Sequence, residues 1–248
     1  MPELDATALL AVLAVIVAAV IKGAIGFGFP TVATPLLAMV VDVKTAVAVL
    51  IVPNLVMDGA QAARRGRLFA MARRTAVMLA FAAVGTVIGT RLLVRLTPRA
   101  AILILGVFVV MFVVANIRRL TIQVSPGLER GLAPVVGLAV GVIGGITNAP
   151  GTPLVMWFYV LGLDKDEFVR AVSLSFVVLK LVQLAAVAHF GLMTWNRAGG
   201  SLVLTAVALA GFAFGLRIQD RLPQAAFNRA VLGMLAVLGV GLMLRGLF

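Results

Sequence analysis

The chain has 248 residues, of which 62% are hydrophobic and only 12% are charged. Soluble domains carry about 25% charged residues, so this composition excludes an ordinary soluble protein. The formal net charge is +12, but the basic residues occupy short loops between apolar blocks, where they orient membrane helices rather than bind nucleic acid. We therefore expect an integral membrane protein that sits in a lipid bilayer.

Long apolar blocks predict transmembrane helices, because each span needs about 20 apolar residues and a β-barrel would show short alternating segments instead. The blocks fall into two similar halves, and we predict a first repeat at 1–117, a linker at 118–130 and a second repeat at 131–248. In chain order, the predicted helices are 6–21, 31–41, 45–63, 75–90 and 98–115 in the first half, then 132–144, 154–163, 169–189, 200–216 and 224–244 in the second.

A motif rich in glycine and proline at 23–35 interrupts the first apolar run and recurs at 141–153. Later matches keep the same order at offsets of 125 and 126. Order that is kept while offsets grow by a few residues indicates a duplicated unit with small loop insertions. Within the motifs, Gly23, Ile25, Gly26, Thr34 and Pro35 coincide with Gly141, Ile143, Gly144, Thr152 and Pro153 at an offset of 118.

The helix predicted at 31–41 is too short to cross a bilayer, since its eleven residues rise only about 16 Å. The segment before it and this helix form either a re-entrant hairpin with the motif at its tip or a pair of short, kinked spans. Both alternatives return the chain at 42–44 to the side where it started.

Counting crossings relates the two halves. If each broken segment returns the chain to its starting side, each half crosses an odd number of times and the second half enters from the opposite face. The bases then divide thirteen against six, as expected if the more basic face is cytoplasmic; four crossings per half would divide them about evenly. We predict inverted repeats with both termini on the outer side. The thirteen are Arg64, Arg65, Arg67, Arg73, Arg74, Arg118, Arg119, Arg130, Lys165, Arg170, Arg217, Arg221 and Arg229, and the six are Lys44, Arg91, Arg95, Arg99, Arg197 and Arg245.

Inverted repeats with broken helices are typical of secondary transporters, whose substrate sites lie near the bilayer midplane where the breaks meet. Backbone N–H groups freed at a break, and the positive end of the short helix that follows, favour an anion there. The alternative is that the glycines only allow close helix packing, as we expect for Gly85, Gly89, Gly211 and Gly215. The motif residues predicted to line the anion site are Gly23, Gly26, Thr34, Gly144, Asn148 and Thr152.

Two charged side chains, Asp58 and Lys180, are predicted to lie well inside spans, where a charge costs at least about 2.5 kcal/mol and therefore faces a cavity or a partner. Asn54 shares a helix face with Asp58, and Gln183 shares one with Lys180. We predict that Asn54, Lys180 and Gln183 contribute to the anion site and that Asp58 carries or senses a coupled proton. A buried Asp58–Lys180 ion pair, or helix capping by Asp58, is the structural alternative.

The chain resembles the sulfite exporter TauE/SafE family in a Gly-x-Ile-Gly segment that leads to Thr-Pro, in Lys-x-Ala-Val-Ala at 44–48, in a later Gly-x3-Gly-x-Arg, and in the repetition of the whole. The resemblance covers nearly the whole chain and implies a permease of the bacterial inner membrane that exports sulfite, sulfoacetate or a related sulfur-containing anion. Phe27 and Phe29 in the first motif and 146–148 in the second depart from the family pattern. The two phenylalanines would narrow the site or add apolar contact.

Other functional classes find less support in the sequence. The chain has no cysteine and one histidine, His189, and its carboxylates are scattered singly, so we expect no disulfide, metal site or cofactor. Motifs for a serine or metal-dependent hydrolase are missing, and we predict that the protein is not an enzyme. An anion channel or a helical accessory subunit would share the composition and stays as the alternative.

Overall fold

The structure, a computed structural model, describes residues 6–26, 28–63, 68–117, 126–163, 165–218 and 224–247. These residues form ten α-helices and, within those ranges, no β-strand. The all-α fold is as predicted. The helices are α1 (Ala6–Ile25), α2 (Phe29–Ala38), α3 (Val43–Ala63), α4 (Leu68–Arg95), α5 (Pro98–Ile117), α6 (Pro126–Thr147), α7 (Gly151–Val160), α8 (Lys165–His189), α9 (Trp195–Ile218) and α10 (Gln224–Leu247).

Several helices are longer than the apolar blocks that predicted them. α1 continues to Ile25, and α4 begins at Leu68, so that Arg73 and Arg74 lie within a helix rather than in a loop. α6 begins at Pro126, inside the predicted linker. Long basic side chains reach polar surroundings from a helix end, so a helix can continue past the apolar stretch.

Seven of the described helices are long and apolar enough to cross a membrane: α1, α3, α4, α5, α6, α8 and α9. α2 and α7 have ten residues each, or about 15 Å, half a bilayer core. Large apolar side chains on the outside, such as Phe81, Val84, Leu202, Val203 and Phe214, are suited to contact with lipid. The protein is a multi-pass membrane protein.

The two halves interlock. α1 packs against α9 and α4 packs against α6, so the first helix of each half lies on the fourth helix of the other half. α3 packs on α8 and α5 on α10, which are helices of equivalent position. Most contacts between the described helices therefore join one half to the other.

Glycines bring the interlocked helices together. A Cβ atom on Gly215 of α9 would lie 2.9 Å from Cα of Gly23 on α1, and one on Gly89 of α4 would lie 3.0 Å from Cα of Gly145 on α6. Real side chains do not fit at such distances, so these helices meet backbone to backbone. Gly85 also lies in this contact, in agreement with the packing role predicted for these glycines.

These contacts also correct the alignment of the repeat. Gly89 and Gly215 are equivalent, and their partners are Gly145 and Gly23, which are 122 positions apart. The sequence comparison paired Gly23 with Gly141 at an offset of 118, which is wrong by four residues, about one helical turn.

α5 and α10 run in opposite directions. Gly239 near the middle of α10 lies on Val109 and Val110, whereas Gly246 at its end lies on Ile102 and Leu103 near the beginning of α5. Since these two helices hold equivalent positions in their halves, an antiparallel contact is the arrangement that inverted repeats would produce.

A hydrogen bond between helices supports α3. Pro53 lacks an N–H group, so the carbonyl of Val49 four residues earlier loses its partner within the helix. The hydroxyl of Ser201 on α9 donates to this carbonyl at 2.8 Å. The bond joins α9 to the helix that carries Asp58.

Candidate substrate site

The first break separates α1 from α2. Gly26 (φ 95°) and Gly28 (φ 94°) have left-handed backbone angles, which glycine adopts without steric cost. The amide Nε2 of Gln61 on α3 donates to the carbonyl of Gly26 at 2.5 Å. Because Gly26 meets Gln61 and Lys22 meets Asp58, α1 and α3 run in the same direction and α2 returns the chain to the start of α3. α1 and α2 thus form a hairpin, the first of the two predicted alternatives.

The second break separates α6 from α7 and is built differently. Asn148 takes the left-handed conformation (φ 64°), which asparagine tolerates better than most residues. Its N–H donates to the carbonyl of Gly144 at 2.8 Å, and the hydroxyl of Thr147 accepts from the N–H of Ala149 at 3.2 Å. Asn148 therefore holds the position that Gly26 holds in the first half.

The two breaks meet inside the protein. Asn148 Nδ2 donates to the hydroxyl of Thr34 on α2 at 3.1 Å. A Cβ atom on Gly151, the first residue of α7, would lie 3.1 Å from the hydroxyl of Thr31. The second break and the first residue of α7 thus both contact α2, the short helix of the other half. Such contact is expected for a site between repeats.

A buried ion pair lies beside the first break. The Nζ atom of Lys22, in the last turn of α1, is 2.5 Å from Oδ1 of Asp58 on α3. Lys22 also lies 5.8 Å from the centre of the Phe176 ring on α8, close enough for a cation–π contact. The pair joins α1 to α3, and Lys22 reaches across to the other half.

Lys180 lies beside the second break and binds only neutral oxygens in its hydrogen bonds. Its Nζ atom donates to the carbonyl (2.8 Å) and to Oδ1 (2.5 Å) of Asn148, and to Oε1 of Gln183 (2.6 Å). The Nε2 atom of Gln183 donates to the carbonyls of Gly144 (3.2 Å) and Gly145 (3.4 Å). A cation near the free carbonyls at the end of α6 is favoured by the helix dipole.

Lys22, Asp58 and Lys180 are the buried charged side chains in the described residues, and each is at most 1% exposed. Lys180 is close enough to interact electrostatically with both Asp58 and Lys22. Two ammonium groups and one carboxylate leave the cluster with a net charge of +1 when all three are ionised. Buried charge is costly unless it is compensated, so this interior favours an anion.

The structure brings together most of the predicted site residues. Gly26, Thr34, Asn148, Lys180 and Gln183 lie at the two breaks, and Asp58 lies beside them. Asn54 is fully buried on the face of α3 that carries Asp58. Gly144 lies against the ring of Pro150, and a Cβ atom there would be 2.8 Å from it.

Two predicted site residues are not found at the breaks: one faces another helix, and the side chain of the other is not among the described parts of the structure. Gly23 faces α9, in the backbone contact with Gly215. The side chain of Thr152 falls outside the described part of the chain, as does Phe27.

The alternative of an Asp58–Lys180 ion pair is corrected, because Asp58 pairs with Lys22 and Lys180 pairs with amide oxygens. Lys22 was not among the predicted site residues, because it directly follows an apolar run, at the predicted end of a helix. The signal available was its position, one residue before a motif that interrupts a membrane helix.

The corrected alignment changes which side chains are equivalent. At the offset of 122 set by the helix contacts, Gln61 corresponds to Gln183, and both amides donate to carbonyls at a break. Asp58 then corresponds to Lys180, whereas the offset of 125 found in the sequence for this part of the repeat would pair Asp58 with Gln183. Equivalent positions in the two halves therefore carry opposite charges.

The sequence profile of the family described as sulfite exporter TauE/SafE matches residues 11–242, which include both breaks and all three buried charges. The chain belongs to the TauE/SafE family. TauE/SafE proteins are membrane transporters of sulfite-type anions, and the seven spans and the positive interior agree with that class. No curated protein and no solved structure matches the chain significantly.

The candidate site also contains buried polar atoms without a protein partner. They are Oδ2 of Asp58, both side-chain polar atoms of Asn54, Oε1 of Gln61 and the hydroxyl of Thr31. Buried polar groups normally have hydrogen-bond partners, so the face of α3 that carries Asn54, Asp58 and Gln61 and the adjoining turn of α2 are suited to hold water or a polar ligand.

At the far end of the first hairpin, Asp42 caps α3. Its carboxylate accepts from the N–H (2.9 Å) and the hydroxyl (2.5 Å) of Thr45, and Arg197 donates to the same hydroxyl at 2.7 Å. Burial alone would raise the pKa of Asp42, but the hydrogen bonds from Thr45 and the charge of Arg197 outweigh it and lower the pKa below its usual value.

A cavity of about 290 Å³ opens beside this end of α2. Arg245 donates to the carbonyls of Ala38 (3.0 Å), the last residue of α2, and of Met39 (2.9 Å), the residue that follows it. The cavity thus lies about 15 Å along α2 from the break. Its lining includes Asp42, Arg99 and Arg245.

Proposed function

We propose that this protein is a secondary transporter that exports a small sulfur-containing anion, such as sulfite, sulfoacetate or another sulfonate, across the bacterial cytoplasmic membrane. The observation that carries the proposal is the cluster of two buried lysines and one buried aspartate where two broken helices meet. Family membership supports the anion class, and the charge gives a physical reason for it.

The bound anion replaces neutral oxygens as the hydrogen-bond acceptor of the Lys180 ammonium group. Asn148 and Gln183 supply those oxygens in the structure, and a charged acceptor forms hydrogen bonds roughly twice as strong as a neutral one. The first N–H groups of α2 and α7 have no partner within their helices and add donors on either side. The proposed site comprises Lys22, Gly26, Thr34, Asn54, Gly144, Asn148, Thr152, Lys180 and Gln183.

Inverted repeats give this site access to both faces in turn. The antiparallel contact of α5 with α10 and the excess of basic residues on one predicted face support the inversion. Under this arrangement both termini are periplasmic, and the basic face is cytoplasmic.

A proton at Asp58 is the proposed coupling ion. The carboxylate and a substrate anion repel each other, so a proton that neutralises Asp58 favours anion binding in the same cluster. Asp58 Oδ2 has no protein partner, which leaves one oxygen available to a proton or to water.

Counterflow in proteoliposomes tests the proposal. Purified protein is reconstituted in vesicles loaded with unlabelled anion, and uptake of labelled sulfite, sulfoacetate, taurine and small carboxylates is followed. A transporter gives saturable counterflow of one of the sulfur-containing anions. Flux that never saturates would indicate a channel instead, and vesicles that accumulate none of the anions would contradict the transporter assignment.

A further inference from the structure

α8 carries two polar residues on the side of Lys180, closer to the beginning of the helix. Arg170, Ser173 and Lys180 fall within an arc of about 80° when residues are placed at 100° intervals around a helix. Ser173 is about 10 Å and Arg170 about 15 Å from Lys180 along the axis. The three side chains thus form one line from the end of α8 at Lys165 to the central cluster.

Both polar residues have donors without a protein partner. Ser173 is 1% exposed, and its hydroxyl has no hydrogen bond. The Nε atom of Arg170 is buried and also has none. A guanidinium and a hydroxyl together fit an acceptor with negative charge. Glu167, the nearest acid described on this helix, precedes Arg170 by three residues and lies about one turn farther from Lys180.

The equivalent positions in the other half are apolar. At the offset of 122, Arg170 corresponds to Ala48 and Ser173 to Ile51, which are both fully buried. The fold is therefore built equally well with apolar side chains at these positions. Packing alone does not explain why one half carries a guanidinium and a hydroxyl there.

We propose that Arg170 and Ser173 form a second anion subsite, which holds the substrate between the Lys165 end of α8 and the central cluster around Lys180. Its ligand is a small oxyanion of the sulfite or sulfonate class, and the inference rests on the proposed function in this respect. The subsite serves one membrane face only, because the other half has no counterpart.

Single cysteines test the subsite without requiring transport, since the natural chain contains no cysteine. Ser173→Cys is treated with sulfonatoethyl methanethiosulfonate, an anion, and with its trimethylammonium analogue, a cation, and each rate is divided by the reagent's rate with a free thiol. We expect the anionic reagent to be favoured roughly tenfold by the nearby positive charge. Arg170→Gln should remove this preference, and Arg170→Lys should keep most of it.

Ser175→Cys is the matched control, because Ser175 is two residues away on the opposite side of the helix and its hydroxyl donates to the carbonyl of Ala171. It should show no preference for the anion. Equal or cation-favoured labelling of Ser173→Cys, an unchanged preference after Arg170→Gln, or failure of both reagents to react would overturn the subsite.

Two further comparisons separate this inference from the proposed function. The labelling preference should persist in a Lys180→Met background, where transport is lost. Anion counterflow without a labelling preference would contradict the subsite but not the transporter. A labelling preference without counterflow would contradict the transporter but not the subsite. Arg170→Gln should also raise KM about tenfold from the Lys165 side alone, and an equal change from both sides would contradict a one-sided subsite.

Discussion

Lys22 and Asp58 form a buried ion pair between α1 and α3, with Nζ of Lys22 2.5 Å from Oδ1 of Asp58. The pair lies directly before the first break, and each side chain is at most 1% exposed. It therefore fixes the hairpin of the first half against the helix that carries the proposed proton site. The equivalent positions in the second half are Gly144 and Lys180, which cannot form such a pair.

Removing one member of this pair should destabilise the protein strongly. We expect Lys22→Met to lower the free energy of unfolding by about 3–5 kcal/mol, because it leaves a buried carboxylate without its partner. Combining it with Asp58→Asn should recover part of the loss. Thermal unfolding in detergent measures both, with the exposed Arg91→Met as control. Losses in the double variant that equal the sum of the single losses would show that the two residues do not interact.

Asp58→Asn tests proton coupling separately. The substitution keeps the size and removes the titratable group, so counterflow of the anion should continue while its response to an imposed pH gradient disappears. The measurement is labelled anion uptake with and without that gradient. Gradient-driven uptake that is unchanged in Asp58→Asn would exclude a coupling role for Asp58.

The glycines differ sharply in what surrounds them. A Cβ atom on Gly89 would lie 2.2 Å from the carbonyl oxygen of Val142 and 3.0 Å from Cα of Gly145, whereas one on Gly59 meets nothing within 4 Å. We expect Gly89→Ala to destabilise by roughly 1–3 kcal/mol. Gly59→Ala should stabilise by roughly 0.5–1 kcal/mol, since alanine favours a helix. Thermal unfolding of the two variants in detergent measures the difference in their stability. Equal changes in stability would contradict the close α4–α6 contact.

The sequence predicted the helices and most of the residues that lie at the two breaks, because hydrophobic blocks and breaks are local features. It misaligned the repeat because Gly137, Gly141 and Gly145 recur every four residues, so a shift of one turn still places glycine on glycine. Which glycine faces the partner helix depends on tertiary packing, which only the structure shows.

Lys22 was missed for a related reason. The apolar run ends just before it, and a lysine at such a position normally extends to the membrane surface. In the structure α1 continues to Ile25, so Lys22 lies within the helix, where it is buried and forms an ion pair with Asp58. Long-range pairing of this kind, between residues 36 positions apart, has no signal in helical periodicity.

Cysteine accessibility tests the inversion. Ala63 and Ala188 are exposed residues at the ends of α3 and α8, which are equivalent helices. Single cysteines at these positions should react with a membrane-impermeant thiol reagent from opposite faces, one in intact cells and the other only after the membrane is opened. Labelling of both from one face would contradict inverted repeats.

Lys180→Met tests the central claim most directly, because it removes the ammonium from the second break and keeps a side chain of similar length. Counterflow of the anion that the wild type transports best is measured in proteoliposomes, with thermal unfolding to confirm that the variant is folded. We expect transport to fall at least about 100-fold, as for loss of an interaction worth about 2.7 kcal/mol or more. Lys180→Arg should retain more activity than Lys180→Met. Wild-type counterflow in a folded Lys180→Met variant would contradict an anion site at Lys180.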